Sequence, residues 1–278
     1  GDLDVYLCHD SGPEVNGNLL LENDGAGGLA PATDQRGLDV VTFCMGISWG
    51  DVNADGLMDA YLSTMTEHYL LLRDPSGGYY DVSAASRVPS YIVDVGTMQM
   101  GWGTSFVDVE NDGRMDLVLG TADFSAGEPE SYPLWYLRQQ ENGRFEEVSI
   151  DFGLPQQTGA RGLLTQDING DGLVDFLLGD MARTPYLLLS DGCTAANWME
   201  VTAPDGTEIV LESEGVVRAA LATSDPGFSA SGFPTAHFGL GSSESVDRIT
   251  LRIPGGEVVV LEGPIEARRR LSWTPTTP

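Results

Sequence analysis

Residues 51–59, DVNADGLMD, place Asp51, Asn53, Asp55 and Asp59 on alternating positions around Gly56. The pattern returns as DVENDGRMD at 108–116 and as DINGDGLVD at 167–175. Side chains at positions 1, 3, 5 and 9 and the carbonyl of position 7 make an all-oxygen ligand set. In the first copy these are Asp51, Asn53, Asp55, Leu57 and Asp59. In the second they are Asp108, Glu110, Asp112, Arg114 and Asp116, and in the third Asp167, Asn169, Asp171, Leu173 and Asp175. Leu57, Arg114 and Leu173 contribute only backbone carbonyls. Such a turn offers up to about six hard oxygens when the closing carboxylate binds through both of its own, within the range calcium takes; magnesium demands stricter octahedra. Zinc and copper prefer nitrogen or sulfur, which the turns lack. Two unit charges ~4 Å apart repel by about 1 kcal/mol in water and about 4 at an effective dielectric of 20. A divalent cation reverses that sign, so the spacing predicts Ca2+ in three turns. Gly at position 6 permits the sharp bend. These are not EF-hands, because position 12 holds Leu62, Leu119 and Leu178 where an EF-hand has Glu.

These turns need a scaffold that repeats. Asp59, Asp116 and Asp175 lie 57 and 59 residues apart, and 55 residues before Asp59 stands Asp4, in GDLD. That tetrapeptide matches only the tail of the motif, so Asp2 and Asp4 mark an incomplete fourth site. A glycine precedes each first Asp by five residues: Gly46, Gly103 and Gly162. Short apolar strands (VYLC, AYLS, LVLG, FLLG), a second apolar run and a Gly-containing turn follow. Two copies close on YYDVS and FEEVS. Four short strands per repeat is the layout of a propeller blade, and near-continuous apolar strands suit sheets covered on both faces. The expected fold is all-β: blades of four-stranded sheets over 1–193, a small β-rich domain over 194–274 and a tail at 275–278. A stack of separate β-sandwiches is the rival, disfavoured by the short repeat.

The 278 residues include 35 Gly and 15 Pro, and the net charge is −28. All 14 cationic residues are Arg. Duplex binding requires basic residues against phosphate, so nucleic acid is excluded as a partner. No apolar run approaches the ~20 residues of a membrane helix. Cys8, Cys44 and Cys193 admit either one disulfide with a free thiol or three buried thiols.

The residues MGISWGDVNADGLMDAYLSTM resemble the FG-GAP/VCBS-repeat β-propellers, in particular the cartilage acidic protein-like group. NWMEV at 197–201 and FPTAHFGLGSSESVDRITLRIPGG at 233–256 resemble the ASPIC/UnbV domain that follows those repeats, with the segment at 203–209 shortened. The resemblance implies calcium between the first two strands of each blade and about seven blades in a complete ring, of which this chain holds the C-terminal part. It also implies a secreted, periplasmic or cell-surface location, and adhesion or scaffolding more often than catalysis.

A hidden active site finds little support. His9, His68 and His237 form no triad or metal spacing. GISWG brushes the G-x-S-x-G pattern, but Ser48 belongs to a strand and not to a strand-to-helix elbow. Asp10, Met65, Ala122 and Met181 fall at matched strand ends, where packing is the default role. The insertion at 122–133, from Ala122 to Pro133, is the local candidate for contact with a protein or glycan partner. Arg268, Arg269 and Arg270 form the one basic cluster, suited to pairing with the acidic body or an anionic partner, with a solvated strand end as the default. The leading reading is a calcium-binding extracellular β-propeller module for adhesion, protein binding or surface assembly. The rivals are a propeller lyase or hydrolase acting on polysaccharide, and a structural subunit of a surface filament, including homo-assembly.

Overall fold

A computed structural model of the chain describes residues 3–15, 17–88, 93–94, 97–98, 100–122, 132–155, 157–181, 183–192, 195–224 and 228–274. The protein is all-β. Its first sheet is a three-stranded antiparallel meander of β1 (Val5–Leu7), β2 (Leu19–Asn23) and β3 (Leu29–Pro31), with one-turn helices α1 (Gly12–Val15) and α2 (Thr33–Arg36) in its connections. The second sheet has four strands in order: β4 (Cys44–Gly50), β5 (Asp59–Thr64), β6 (Tyr69–Arg73) and β7 (Tyr79–Asp81). A small ribbon, β8 (Val93–Asp94) and β9 (Thr97–Met98), leads to the third sheet. That sheet is β10 (Met100–Val107), β11 (Asp116–Ala122), β12 (Trp135–Gln139) and β13 (Phe145–Glu147). The fourth has β14 (Ala160–Gln166), β15 (Asp175–Asp180) and β16 (Tyr186–Leu188).

These sheets lie face against face. Tyr61, Leu70, Leu117, Leu119 and Leu137 fill the space between the second and third. Val118, Tyr136, Leu163, Phe176 and Leu178 fill that between the third and fourth. Covered on both faces, β5 and β11 are buried at every residue, which explains their unbroken apolar sequence. The repeated glycine sets how closely the first strands approach. A Cβ on Gly46 would lie 2.5 Å from the Trp102 carbonyl oxygen, and one on Gly103 would lie 2.6 Å from that of Arg161. At Gly162 the neighbour is the carbonyl of Ser229, at 2.9 Å. The segment around Ser229, from the C-terminal part of the chain, thus stands against β14 as β14 stands against β10.

The C-terminal part is a sandwich of two sheets. One has the order β20 (Thr235–Gly241), β17 (Asn197–Thr202), β23 (Arg269–Ser272). The other runs β19 (Val216–Ala222), β18 (Thr207–Ser213), β21 (Ser245–Arg252), β22 (Val258–Glu266). Met199, Val201, Ile209, Leu211, Phe238, Ile249 and Leu251 form its core.

Of the two readings the cysteines left open, a disulfide is realised. Cys8 bonds to Cys44 across 36 residues and ties the end of β1 to the start of β4. Cys193 lies outside the described residues, as do Asp2, all of the insertion between Ala122 and Tyr132, and the tail at 275–278. Met65 and Ala122 pack with Met45, Met100 and Trp102, while Met181 is largely exposed. Among the described residues no helix is long and apolar enough to cross a membrane.

Candidate metal centre

Each acidic turn joins the first strand of a sheet to the second, so all three lie at the same end of their sheets. Position 6 takes a left-handed backbone in every copy, with φ of 81° at Gly56, 89° at Gly113 and 89° at Gly172. Position 4 does so too, at Ala54 (56°), Asn111 (57°) and Gly170 (87°). Two left-handed residues wrap the chain around the position 1 carboxylate. In the first turn Asp51 Oδ1 accepts from the Asp55 amide and Oδ2 from that of Gly56, both at 2.9 Å. Asp108 and Asp167 accept the matching pairs.

The closing Asp serves the sheet. Asp59 accepts from the amides of Val52 and Arg73, binding its own turn to β6. Asp175 does the same for Ile168 and Ser190. Asp116 takes Val109, Gln139 and the Tyr136 hydroxyl. Asp4 accepts from the Asn23 amide on β2 at 2.8 Å, as Asp59 accepts from the Arg73 amide on β6.

Burial pushes Asp51 up to about 6 and Asp59 up to about 7, with neighbouring carboxylates adding to both. Burial likewise raises Asp108 to about 8 and Asp116 to about 7, and Asp112 pushes each further. Four buried carboxylates thus stand above their ordinary range, and positive charge beside them would favour the ionised form.

The turns differ in how that charge is supplied. Among the described residues no ion pair reaches Asp51, Asp55 or Asp59. In the second turn Arg114 pairs with Asp112, and Arg138 draws Glu110 outward at 2.5 Å. In the third, Arg270 pairs with Asp167, whose side chain is 0% exposed. Among the described residues no three His, Cys, Asp or Glu side chains converge on one point. By donor chemistry the first turn fits a hard cation: Asp51, Asn53 and Asp55 with the Leu57 carbonyl are all oxygen, and among the described residues none of them is in an ion pair. The second fits less well, and the third has its position 1 carboxylate occupied.

The C-terminal sandwich sits directly on these turns, which sequence reasoning did not anticipate. The Ala219 amide donates to Asp51 Oδ2 at 3.0 Å. Arg218 Nε donates to the Gly113 carbonyl at 3.4 Å, and its charge also faces Asp51, Asp108 and Asp112. His237 Nε2 lies 2.7 Å from Asn111 Oδ1, and the Gly241 amide donates to the Asn111 carbonyl at 2.8 Å. Asn111, fully buried, also donates from Nδ2 to the Gly172 carbonyl and so links the second turn to the third. Its signal was the left-handed tolerance of Asn ahead of Asp-Gly.

Two concavities adjoin the turns. A cavity of about 410 Å3 lies between β4, β10, β14 and the sandwich, lined by Ser48, Ser105, Thr165, Glu200 and His237. A cleft of about 1140 Å3 runs from the first two sheets to the sandwich, past Tyr6, Trp49, Tyr79, Arg36, Arg73 and Arg252. Tyr6, Trp49 and Tyr79 meet edge to face along it, at centroid distances of 6.0 and 6.1 Å. His68 is buried away from solvent, its Nδ1 accepting from the Thr64 amide.

Residues 202–276 match the family described as ASPIC and UnbV. The chain is 23% identical over 274 residues to cartilage acidic protein 1 of Homo sapiens, covering 92% of this chain and 39% of that protein. Against the Xenopus tropicalis protein of the same name it is 24% identical over 287 residues, covering 95% and 42%. The chain therefore spans about two fifths of the length of these curated relatives. Among solved structures, an Agrocybe aegerita lectin described for recognising non-reducing terminal N-acetylglucosamine covers 84% of this chain and 70% of that one. Its identity of 15% and TM-score of 0.35 carry no argument. The chain is thus cartilage acidic protein-like, with an ASPIC/UnbV domain at its C-terminal end.

Proposed function

We propose that the chain is a calcium-binding extracellular β-module that presents a binding face to a protein or glycan partner. One observation carries the calcium reading: three all-oxygen turns lie at one end of the sheets, and the first two hold buried carboxylates raised by burial and crowding. Asp51, Asn53, Asp55 and the Leu57 carbonyl would hold the ion in the first turn, with Asp59 behind them. Asp108, Asp112 and the Arg114 carbonyl would do so in the second, with Glu110 available when it leaves Arg138. Bound calcium supplies the missing positive charge and fixes the turn that joins the first two strands. The role is structural, and the partner binds elsewhere.

The extracellular reading rests on the Cys8–Cys44 disulfide, a bond that persists in oxidising compartments. The similarity to proteins named for cartilage, an extracellular tissue, agrees with it. The aromatic cleft along Tyr6, Trp49 and Tyr79 is the binding face this reading assigns, since such rings bring large contact area at low entropic cost. Calorimetric titration of the full chain with calcium tests the proposal. Saturable binding abolished by Asp51→Asn together with Asp108→Asn supports it, and no heat beyond dilution refutes it.

A further inference from the structure

We propose that Arg270 is the built-in cation of the third acidic turn, so that residues 167–175 serve as a docking site for the C-terminal domain and not as a third metal site. Arg270 lies on β23, which runs parallel to β17 with Arg270 opposite Glu200. From there its Nη2 reaches Asp167 Oδ2, and its Nε lies 3.5 Å from Glu200 Oε1. Asp167 is then fully engaged. Oδ1 accepts from the amides of Gly170 and Asp171, while Oδ2 accepts from Gly172 and from the guanidinium.

The ring of Trp198 closes the same turn from above. A Cβ on Gly172 would lie 2.0 Å from the indole nitrogen, so only glycine leaves room for it. Gly170 faces Arg270 Nη1 in the same way, at 3.2 Å from where a Cβ would stand. A guanidinium is permanently charged and hydrogen-bonds in a fixed fork, so it can neutralise a buried carboxylate that a metal would otherwise claim. The third turn keeps the metal-site spacing of the first, but its position 1 Oδ2 meets a guanidinium where Asp51 Oδ2 meets the neutral Ala219 amide. Of Arg268, Arg269 and Arg270, only Arg270 does this. Arg269 pairs with exposed Glu266, and Arg268 donates to Asn197 and Ala195.

Calcium and the C-terminal domain therefore compete for residues 167–175. Because binding couplings are reciprocal, removing the arginine must tighten calcium there, and loading calcium there must loosen the domain. The metal half of this inference rests on the calcium reading above; the docking half does not.

The test uses the full chain and two exposed position 5 residues, Asp55 and Asp171, whose replacement leaves the buried framework intact. Calcium stoichiometry by calorimetry is compared for wild type, Asp55→Asn, Asp171→Asn and Arg270→Gln. The inference expects Asp55→Asn to lose one bound ion, Asp171→Asn to lose none and Arg270→Gln to gain one. Loss of an ion in Asp171→Asn overturns it while leaving the calcium reading standing. The absence of calcium binding in every chain defeats that reading and the competition with it.

A second arm then judges the docking claim alone. In chelator, limited proteolysis of the connection at 189–196 should proceed at least tenfold faster in Arg270→Gln than in wild type, and at the wild-type rate in Arg269→Gln. Equal rates for Arg270→Gln and wild type overturn the docking claim whatever calcium does.

Discussion

Replacing Asp116 with Ala separates the two jobs its carboxylate could do. Its oxygens accept from the Tyr136 hydroxyl and the Gln139 amide, both at 2.8 Å and buried, and from the Val109 amide at 3.3 Å in a half-buried place. Alanine leaves at least the two buried donors without a partner. Each orphaned buried donor costs about 1–3 kcal/mol, so the loss should be roughly 2–6 kcal/mol. With a urea slope near 3 kcal/mol/M, that lowers the unfolding midpoint by roughly 0.7–2 M. The assay is urea unfolding of the full chain, run once in excess chelator and once in calcium. If the carboxylate pins β12 to its turn, the loss appears in both conditions. If its whole contribution is to ligate calcium, the loss appears only with the metal. A chelator midpoint within error of wild type would refute the strut argument. Asp4→Ala is the control, because its hydrogen bond to the Asn23 amide is exposed, and a change within about 0.5 kcal/mol is expected.

Gly103→Ala should destabilise by about 1–3 kcal/mol, since its Cβ would press on backbone of Arg161 and Leu163; urea midpoints check it, with Gly143→Ala, in open space, as a comparison for the steric part. Reducing Cys8–Cys44 should cost about 4 kcal/mol on a chain-entropy account of a 36-residue loop, seen as a lower melting midpoint in reductant. Burial holds His68 down to about 4, so the native ring stays neutral while the unfolded chain takes up a proton, and stability is lost as pH falls from about 6.5 through 4. Wild type should therefore lose more stability between pH 7 and 4.5 than His68→Gln, by urea titration at each pH. The carboxylates of Asp51, Asp59, Asp108 and Asp116 are raised, so the metal-free chain should lose stability as pH climbs from about 4 to 8. Calcium should flatten that slope.

The sheets were legible because periodicity reports burial. AYLS and LVLG are apolar without alternation, and their strands are covered on both faces. The spacing from Asp4 to Asp59 has a structural counterpart, since Asp4 makes the same kind of bond to the next strand as Asp59 does. The glycine before each turn was visible as a repeat, but its reason was not: the carbonyl that crowds Gly46 or Gly103 comes from a strand more than fifty residues on. The turns themselves were legible as acidic loops, and each joins the first strand of its sheet to the second. What escaped was their unequal electrostatics, because Arg270 and Asp167 are 103 residues apart and nothing local ties them. Arg218 and His237 escaped for the same reason. Their roles come from the sandwich lying across all three turns, and local pattern carries no information about where a second domain docks. The cysteine pairing depended on the approach of β1 to β4, which spacing alone left undecided.

The most direct measurement is the thermal midpoint of the full chain in calcium and in chelator at one pH near 7. At calcium a hundredfold above its dissociation constant, one site binding only the native state adds about 2.7 kcal/mol. For a chain of this size that raises the midpoint by roughly 5–10 °C, at about 2–4 °C per kcal/mol. Coincident melting curves, with magnesium and calcium indistinguishable from chelator, would contradict the view that the acidic turns are completed by a hard divalent cation.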